Sequence, residues 1–442
     1  MAGLNFGFRL ITVLLVTGNV LQCIAVLPPY LPILQQGNAE RGDIIESYFH
    51  LGMNYKEILL LIGLTHGFYL SMRQLKRILK SCGFGRRINR SDLQKVSRCI
   101  EMELRGSGST IGYRQMTQRL SWVYGLCVDK VTVRNLLKIL DPEGVEARSK
   151  HRLLRRQYKT EGPNYLWHID GYDKLKPFGF CIHGGIDGYS RRIMWLEVGP
   201  SNNDPFIVAQ YFIDCVRQIG GTPRLIRADN GTENVNIAAV QRFFQREENS
   251  FLYGKSCANQ RIEAWWGTLR KGCIDWWIRL FKDMRDSGMF CDADVIQCEC
   301  LKFCFMQVLR DELYKFAEQW NLHRMRPSTN VESPSGRPDI LYFLPEINGA
   351  RNLITVVSLD NVEIAEQRCC NRPPETGCTD EFCELASVIM QEKNIEMPKT
   401  AEDAVILYSV LTDEILKTAI DNYYLYATTN HFGTVLDWIS YT

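Results

Sequence analysis

Three acidic residues stand where a carboxylate is costly. Asp170 ends the apolar and aromatic run Tyr165-Leu166-Trp167-His168-Ile169, and Asp229 ends Leu225-Ile226-Arg227-Ala228. Glu263 lies inside the helix-patterned segment from Asn259 to Leu269. A carboxylate in an apolar run needs a cation or hydrogen bonds to stay charged. Three of them converging on one point make an oxygen donor set for a hard divalent cation such as Mg²⁺. Two such ions about 3.5–4 Å apart would clamp the attacking and leaving oxygens of an in-line phosphoryl displacement. The chemistry to expect is metal-dependent cleavage or transfer of a phosphodiester.

The elements around the acids must bring them together. Tyr165–Asp170, Phe178–Ile186 and Ile193–Val198 read as strands, with Asp187-Gly188-Tyr189-Ser190-Arg191 as the hairpin turn between the last two. Asp204-Pro205 starts a helix that runs to Val216. A short strand over Pro223–Asp229, a helix over Val235–Phe244, a strand over Ser250–Tyr253 and the helix over Asn259–Leu269 follow. A three-stranded meander followed by alternating strands and helices predicts an α/β fold, a mixed five-stranded sheet with helices on both faces. In such a sheet the first and fourth strands can be neighbours, which brings Asp170 to Asp229. Asn259 or Gln260, Glu263, Gly267 and Arg270 share one face of the last helix. That face can present Glu263 to the same spot and leave Arg270 and Lys271 to hold a phosphate.

Other polar residues here admit two readings each. Asn230 either contacts DNA or ties its own loop, and Glu233 is a second acid at the site or a loop cap. Asp173 joins the site only if the first strand runs on, and Asp187 reads as a turn former. His168 either orients a water or phosphate or is a satisfied buried histidine. Trp265, Trp266, Trp276 and Trp277 either stack on bases or pack.

The 442 residues balance to a net charge of +2, but the balance hides a split. Residues 36–160 carry 23 Lys and Arg against 11 Asp and Glu, a difference of +12. Residues 346–442 carry 6 against 16, a difference of −10. A basic front half suits a polyanionic partner. Composition is that of a globular chain with 45% hydrophobic residues, which excludes collagen-like, disordered and multi-span membrane classes. The 16 cysteines are scattered without a C-x-x-C pair or zinc-finger histidines, and read as reduced thiols.

The basic half divides into two helical units. Ile44–His50, Tyr55–Leu61 and a helix capped by Ser71 form the first, within residues 38–85. Its last helix sets Leu75, Ile78 and Leu79 on one face and Arg73, Lys76, Arg77 and Lys80 on the others. Val96–Leu104, Ile111–Leu120 and Val131–Leu140 form the second, within residues 90–147. Both fit all-α helix-turn-helix units with a helix for the major groove, or a helical bundle with a solvated basic face. Between them and the sheet, residues 148–163 form a basic linker. Its Arg148, Lys150, Arg152, Arg155, Arg156 and Lys159 place six cations within twelve residues. Arg152, Arg155 and Arg156 are candidates for tracking phosphate, and the run also serves as a possible nuclear import signal. Residues 1–37 form a hydrophobic segment whose positions 8–27 have the pattern of a signal peptide, or of a buried arm.

Four stretches, LWHIDGYDKL, CIHGGIDGYSRRI, RADNGTEN and NQRIEAWWGTLRK, resemble the integrase core domain of the retroviral type. This is the DDE integrase and transposase superfamily, and the likeness is greatest to such proteins of animal and fungal mobile elements. Asp229 and Glu263 have 33 residues between them, near that family's usual spacing. The run from GYRQMTQRL to KILDPEGV resembles the region before the catalytic core of bacterial insertion-sequence transposases. The likeness covers roughly residues 95–345.

The resemblance implies a ribonuclease-H-like fold for a core at 164–345, with an acidic region of unknown role at 346–442. It implies DNA as substrate, strand transfer or end processing, and two Mg²⁺ or Mn²⁺ ions on Asp170, Asp229 and Glu263. Gln260, Asn230, Arg270 and Lys271 become candidate DNA contacts. No small-molecule cofactor, a homo-oligomer on DNA and a nuclear location are expected. Two features depart from retroviral integrases: no H-x₃₋₅-H…C-x₂-C zinc domain precedes the core, and the tail is acidic where a basic barrel would stand. A catalytically silent, element-derived DNA-binding protein is the alternative, and a secreted or tethered protein would rest on residues 8–27 alone.

Overall fold

The structure, a computed structural model, describes residues 41–84, 90–149, 160–254, 259–327 and 334–429. The hydrophobic segment at 1–37 lies outside the described residues, as do Arg152, Arg155 and Arg156 of the basic linker. No helix among the described residues is long and apolar enough to cross a membrane.

The centre is a ribonuclease-H-like mixed sheet. Strands β1 (Leu166–Tyr172), β2 (Cys181–Asp187) and β3 (Ile193–Gly199) form an antiparallel meander. After α8 (Pro205–Ile219) and the short β4 (Gly221–Thr222) comes β5 (Leu225–Ala228), and after α9 (Val235–Gln245) comes β6 (Phe251–Tyr253). The order is β3-β2-β1-β5-β6, with β5 parallel to both β1 and β6. The predicted neighbours, first and fourth strands of the sheet, are therefore adjacent.

Side-chain alternation along β1 sorts the two faces. Trp167 and Ile169 join a core with Trp195, Phe212, Ile226 and Ile237, under α8 and α9. Tyr172 joins the opposite core, where α10 (Gln260–Leu269), α11 (Asp275–Asp286) and the long α12 (Val295–Leu322) pack. Two glycines in β2 let large rings close on both faces. A Cβ at Gly185 would sit 2.4 Å from the Trp195 ring, and one at Gly184 would sit 3.0 Å from Trp266. The β2–β3 turn is fastened by the buried Asp187. It accepts from the Ser190 amide at 2.7 Å and hydroxyl at 2.6 Å, and from the Asn164 amide at 2.8 Å. Asp187 is thus a turn former, as its Asp-Gly step predicts.

Ahead of the sheet stand two three-helix units. The first comprises α1 (Arg41–His50), α2 (Tyr55–His66) and α3 (Met72–Ser81). Capping boxes at Asn54/Glu57 and Ser71/Gln74 start its second and third helices. Leu75 and Leu79 are buried, whereas Arg73, Lys76, Arg77 and Lys80 are exposed. The second comprises α4 (Leu93–Arg105), α5 (Tyr113–Tyr124) and α6 (Lys130–Leu140), followed by α7 (Pro142–Ser149). It is bolted to α12 through the buried Arg119. That guanidinium donates to Glu103 at 2.6 Å and Ser107 at 3.2 Å within the unit, and to Glu312 of α12 at 3.2 Å.

The acidic carboxy-terminal part wraps the core rather than trailing from it. After α13 (Pro338–Phe343), β7 (Thr355–Val356) pairs with β4. Helix α14 (Leu359–Cys369) buries Val362 and Ala365 against the α8 face. There Glu366 takes up Arg217, whose neighbour Asp214 also pairs with Arg372 at 3.0 Å. Helices α15 (Asp380–Lys393) and α16 (Ala401–Thr429) cover the other face with Ala386, Ile389, Leu407, Tyr408 and Leu411.

One buried ion pair joins the hairpin turn to this wrap. Arg192 is 2% exposed and donates to Asp339, which is fully buried, at 3.0 Å. Replacing Asp339 leaves a guanidinium in the core without its counter-charge. Asp339→Ala is expected to cost about 3–5 kcal/mol in denaturant unfolding.

Candidate active site

The parallel register fixes the first two acids. His168 pairs with Arg227 across β1 and β5, so Asp170 and Asp229 each come two residues later, at the carboxyl ends of strands about 4.8 Å apart. This edge, where strands release their chains into loops, is where open α/β sheets place their ligands. The third acid arrives on α10, and a clamp sets that helix against β1. The buried Asn259, just before the helix, donates through Nδ2 to the Ile169 carbonyl at 2.8 Å. Its Oδ1 then accepts, at 2.8 Å, from His168 Nδ1, which therefore carries the proton. Burial, aided by Arg227 and Arg261, pushes His168 down to about 3, so the ring is neutral. His168 is thus the satisfied buried histidine of its two readings.

One turn beyond Glu263, Trp266 Nε1 donates to Asp170 Oδ2 at 2.9 Å and its ring lies 5.0 Å from that of Tyr172. Trp265, Trp266 and Trp277 are buried packing residues, and Trp276 donates to the Arg105 carbonyl at 3.0 Å. The Trp266 bond to Asp170 is not legible in the sequence. Its only trace is that a tryptophan follows Glu263 by three residues on a helix.

The acids feel one another. Burial, with the charges of Asp229 and Glu263, pushes Asp170 up to about 7, against the Trp266 hydrogen bond. Burial and Asp229 raise Glu263. Glu233 is raised by burial and by Asp229 and Asp173, so two more carboxylates stand at the rim. Among the described residues, Asp229 Oδ1 is buried without a hydrogen-bond partner. No three Asp, Glu, His or Cys side chains among them are already closed into a metal cage. Glu263 is exposed at the head of its helix.

The cations and amides expected to meet DNA divide. Asn230 is exposed immediately after Asp229, and Gln260 opens α10 one turn before Glu263. Arg270 and Lys271 are exposed on a π turn, Arg270–Ile274, that continues α10. Arg270 holds Asp275 at 2.9 Å through Nε, near the end of β1 at Tyr172.

In this mixed sheet two acids lie toward the carboxyl ends of the central parallel pair and a third lies on a flanking helix. Residues 157–336 match the family described as integrase core domain, and the match supports a core of the retroviral type over that stretch. Comparison with curated proteins gives no match.

Crowding of the acids carries a pH signature. Asp170 has a folded pKa near 7, above its ordinary 3.8, so the folded chain binds the extra proton between those values. Stability therefore falls as pH rises through 7, and the cost is fully present above it. Asp170→Asn is expected to exceed wild type in unfolding free energy by about 1–4 kcal/mol at pH 8 and by little at pH 4. A wild-type chain whose stability does not fall between these pH values contradicts an Asp170 that is buried beside two other acids.

Proposed function

We propose that the protein is a DDE-type integrase or transposase, which binds DNA and cleaves or transfers phosphodiester bonds. The observation that carries the reading is the gathering of Asp170, Asp229 and Glu263 at one sheet edge of an integrase core domain. The residues fit a divalent ion. Asp229 offers an unpartnered buried oxygen, Asp170 has a carboxyl destabilised in its charged form, and all three donors are hard oxygens. These three side chains would hold Mg²⁺ or Mn²⁺, with two ions expected. The chemistry gained on binding is a more acidic water or DNA 3′-hydroxyl and positive charge for the departing oxygen.

The protein's own groups have separate tasks. The Asn259 clamp fixes the helix that carries Glu263, and Trp266 fixes the Asp170 carboxylate. Glu263, exposed on its helix, turns toward the strand acids. Asn230, Gln260, Lys271 and Arg270 position the phosphate backbone. The exposed Arg73, Lys76, Arg77 and Lys80 on α3, and α6 in the second unit, act as helix-turn-helix elements against a groove. A homo-oligomer on DNA and a nuclear location belong to the same reading.

A catalytically silent, element-derived DNA-binding protein is the alternative reading. One assay separates the two. Purified protein with Mg²⁺ and duplex ends is expected to nick or join DNA. Asp229→Asn is expected to lower that rate at least about a thousandfold while leaving DNA affinity within about twofold. Wild type and variant equally inactive, yet both bound to DNA, would establish the silent protein.

A further inference from the structure

A large cavity lies away from the acids. It is a cleft of about 1010 Å³ between the two helical units and the carboxyl end of α12. Its lining is one-signed. Among the described residues, Arg114, Lys130, Arg191, Arg324, Arg326 and Arg337 face it and no Asp or Glu does. This is a strong bias in a chain with 52 basic and 50 acidic residues. Arg337 is matched by Glu57 at 3.5 Å behind the wall. Arg114, Lys130 and Arg324 are exposed and make no ion pair among the described residues. Like charges gathered from five separate stretches repel one another unless an anion sits among them.

The lining also suits a particular anion. Tyr113, Trp122 and Trp320 place aromatic surface among the cations, the combination that receives sugars and bases beside a phosphate backbone. The cleft and the acidic site share helix α10, although none of the three acids lines the cleft. Thr268 on its wall lies five residues after Glu263 on the same helix, about 7.5 Å along the axis. Arg191 belongs to the hairpin turn whose Gly188 carbonyl accepts from Arg261 of that helix at 3.1 Å.

We propose that this cleft seats the DNA backbone on its way to the acids, with Arg114, Lys130 and Arg324 as direct phosphate contacts. The proposal rests on the DNA-processing reading and adds a binding site remote from the carboxylates. Each phosphate neutralised by a protein cation releases counterions, so the site has a measurable salt signature.

The test is binding of the full chain to a labelled DNA duplex across a KCl series from about 50 to about 200 mM. The triple variant Arg114→Gln, Lys130→Gln, Arg324→Gln changes only exposed side chains, and its thermal unfolding midpoint should match wild type. It is expected to lower the slope of log affinity against log salt by about 3, roughly one per cation, and to weaken binding tenfold or more. Lys399→Gln, an exposed cation outside the cleft, is expected to change neither. Wild-type binding with an unchanged slope in the triple variant overturns the cleft and leaves the DNA reading standing. A wild type that binds no DNA at the lowest salt overturns both. Tighter binding of an RNA of equal length overturns DNA as the occupant.

Discussion

The structure depends on the parallel pairing of β1 with β5. That register alone brings residues 59 positions apart in the chain, Asp170 and Asp229, to one edge, and it does so at an electrostatic cost. Two like charges and a third on α10 would drive a small assembly apart. Here they are held by two large apolar cores, one on each face of the sheet, whose members include Trp167, Trp195 and Phe212 on one side and Trp265, Phe281 and Phe305 on the other. The hydrophobic effect fixes the strands, and the strands fix the charges. The crowding is then stored strain that a bound cation would relieve.

The position of the third acid has a narrower cause. Helix α10 touches β1 through packing, but packing tolerates sliding by fractions of a turn. Asn259 removes that freedom by bonding a backbone carbonyl and a neutral imidazole at once. Buried, fully satisfied polar groups of this kind select one arrangement among several of similar apolar burial. Arg119 with Glu103 and Glu312 does the same at the second helical unit, and Arg192 with Asp339 ties the hairpin turn by charge.

Much of this was legible in the sequence. Acids that end apolar strands, the Asp-Gly turn at 187–188 and the capping residues Ser71 and Asp204 are local signals, and local signals survive without coordinates. Connectivity allowed the first and fourth strands to be neighbours, and the rest of the strand order came with the fold. What the sequence hid is long-range. Nothing at His168 announces a partner 91 residues on, and nothing at Arg192 announces one 147 residues on. The amphipathic helices after residue 346 show that they bury a face, but not that they wrap the sheet. The basic linker is visible as a run of charge. The cations of the cleft are single residues in unrelated segments and become a set only after folding.

The Arg119 joint has a mechanical consequence. Two carboxylates and a serine hydroxyl surround one guanidinium, and one of the carboxylates belongs to the helix that braces the central sheet. The second helical unit is therefore not a tethered arm but part of the same solid frame. A partner gripped by that unit and presented to the sheet edge meets two surfaces at a set distance and angle. Whatever adjustment such an engagement demands must come from the partner or from elements other than this joint.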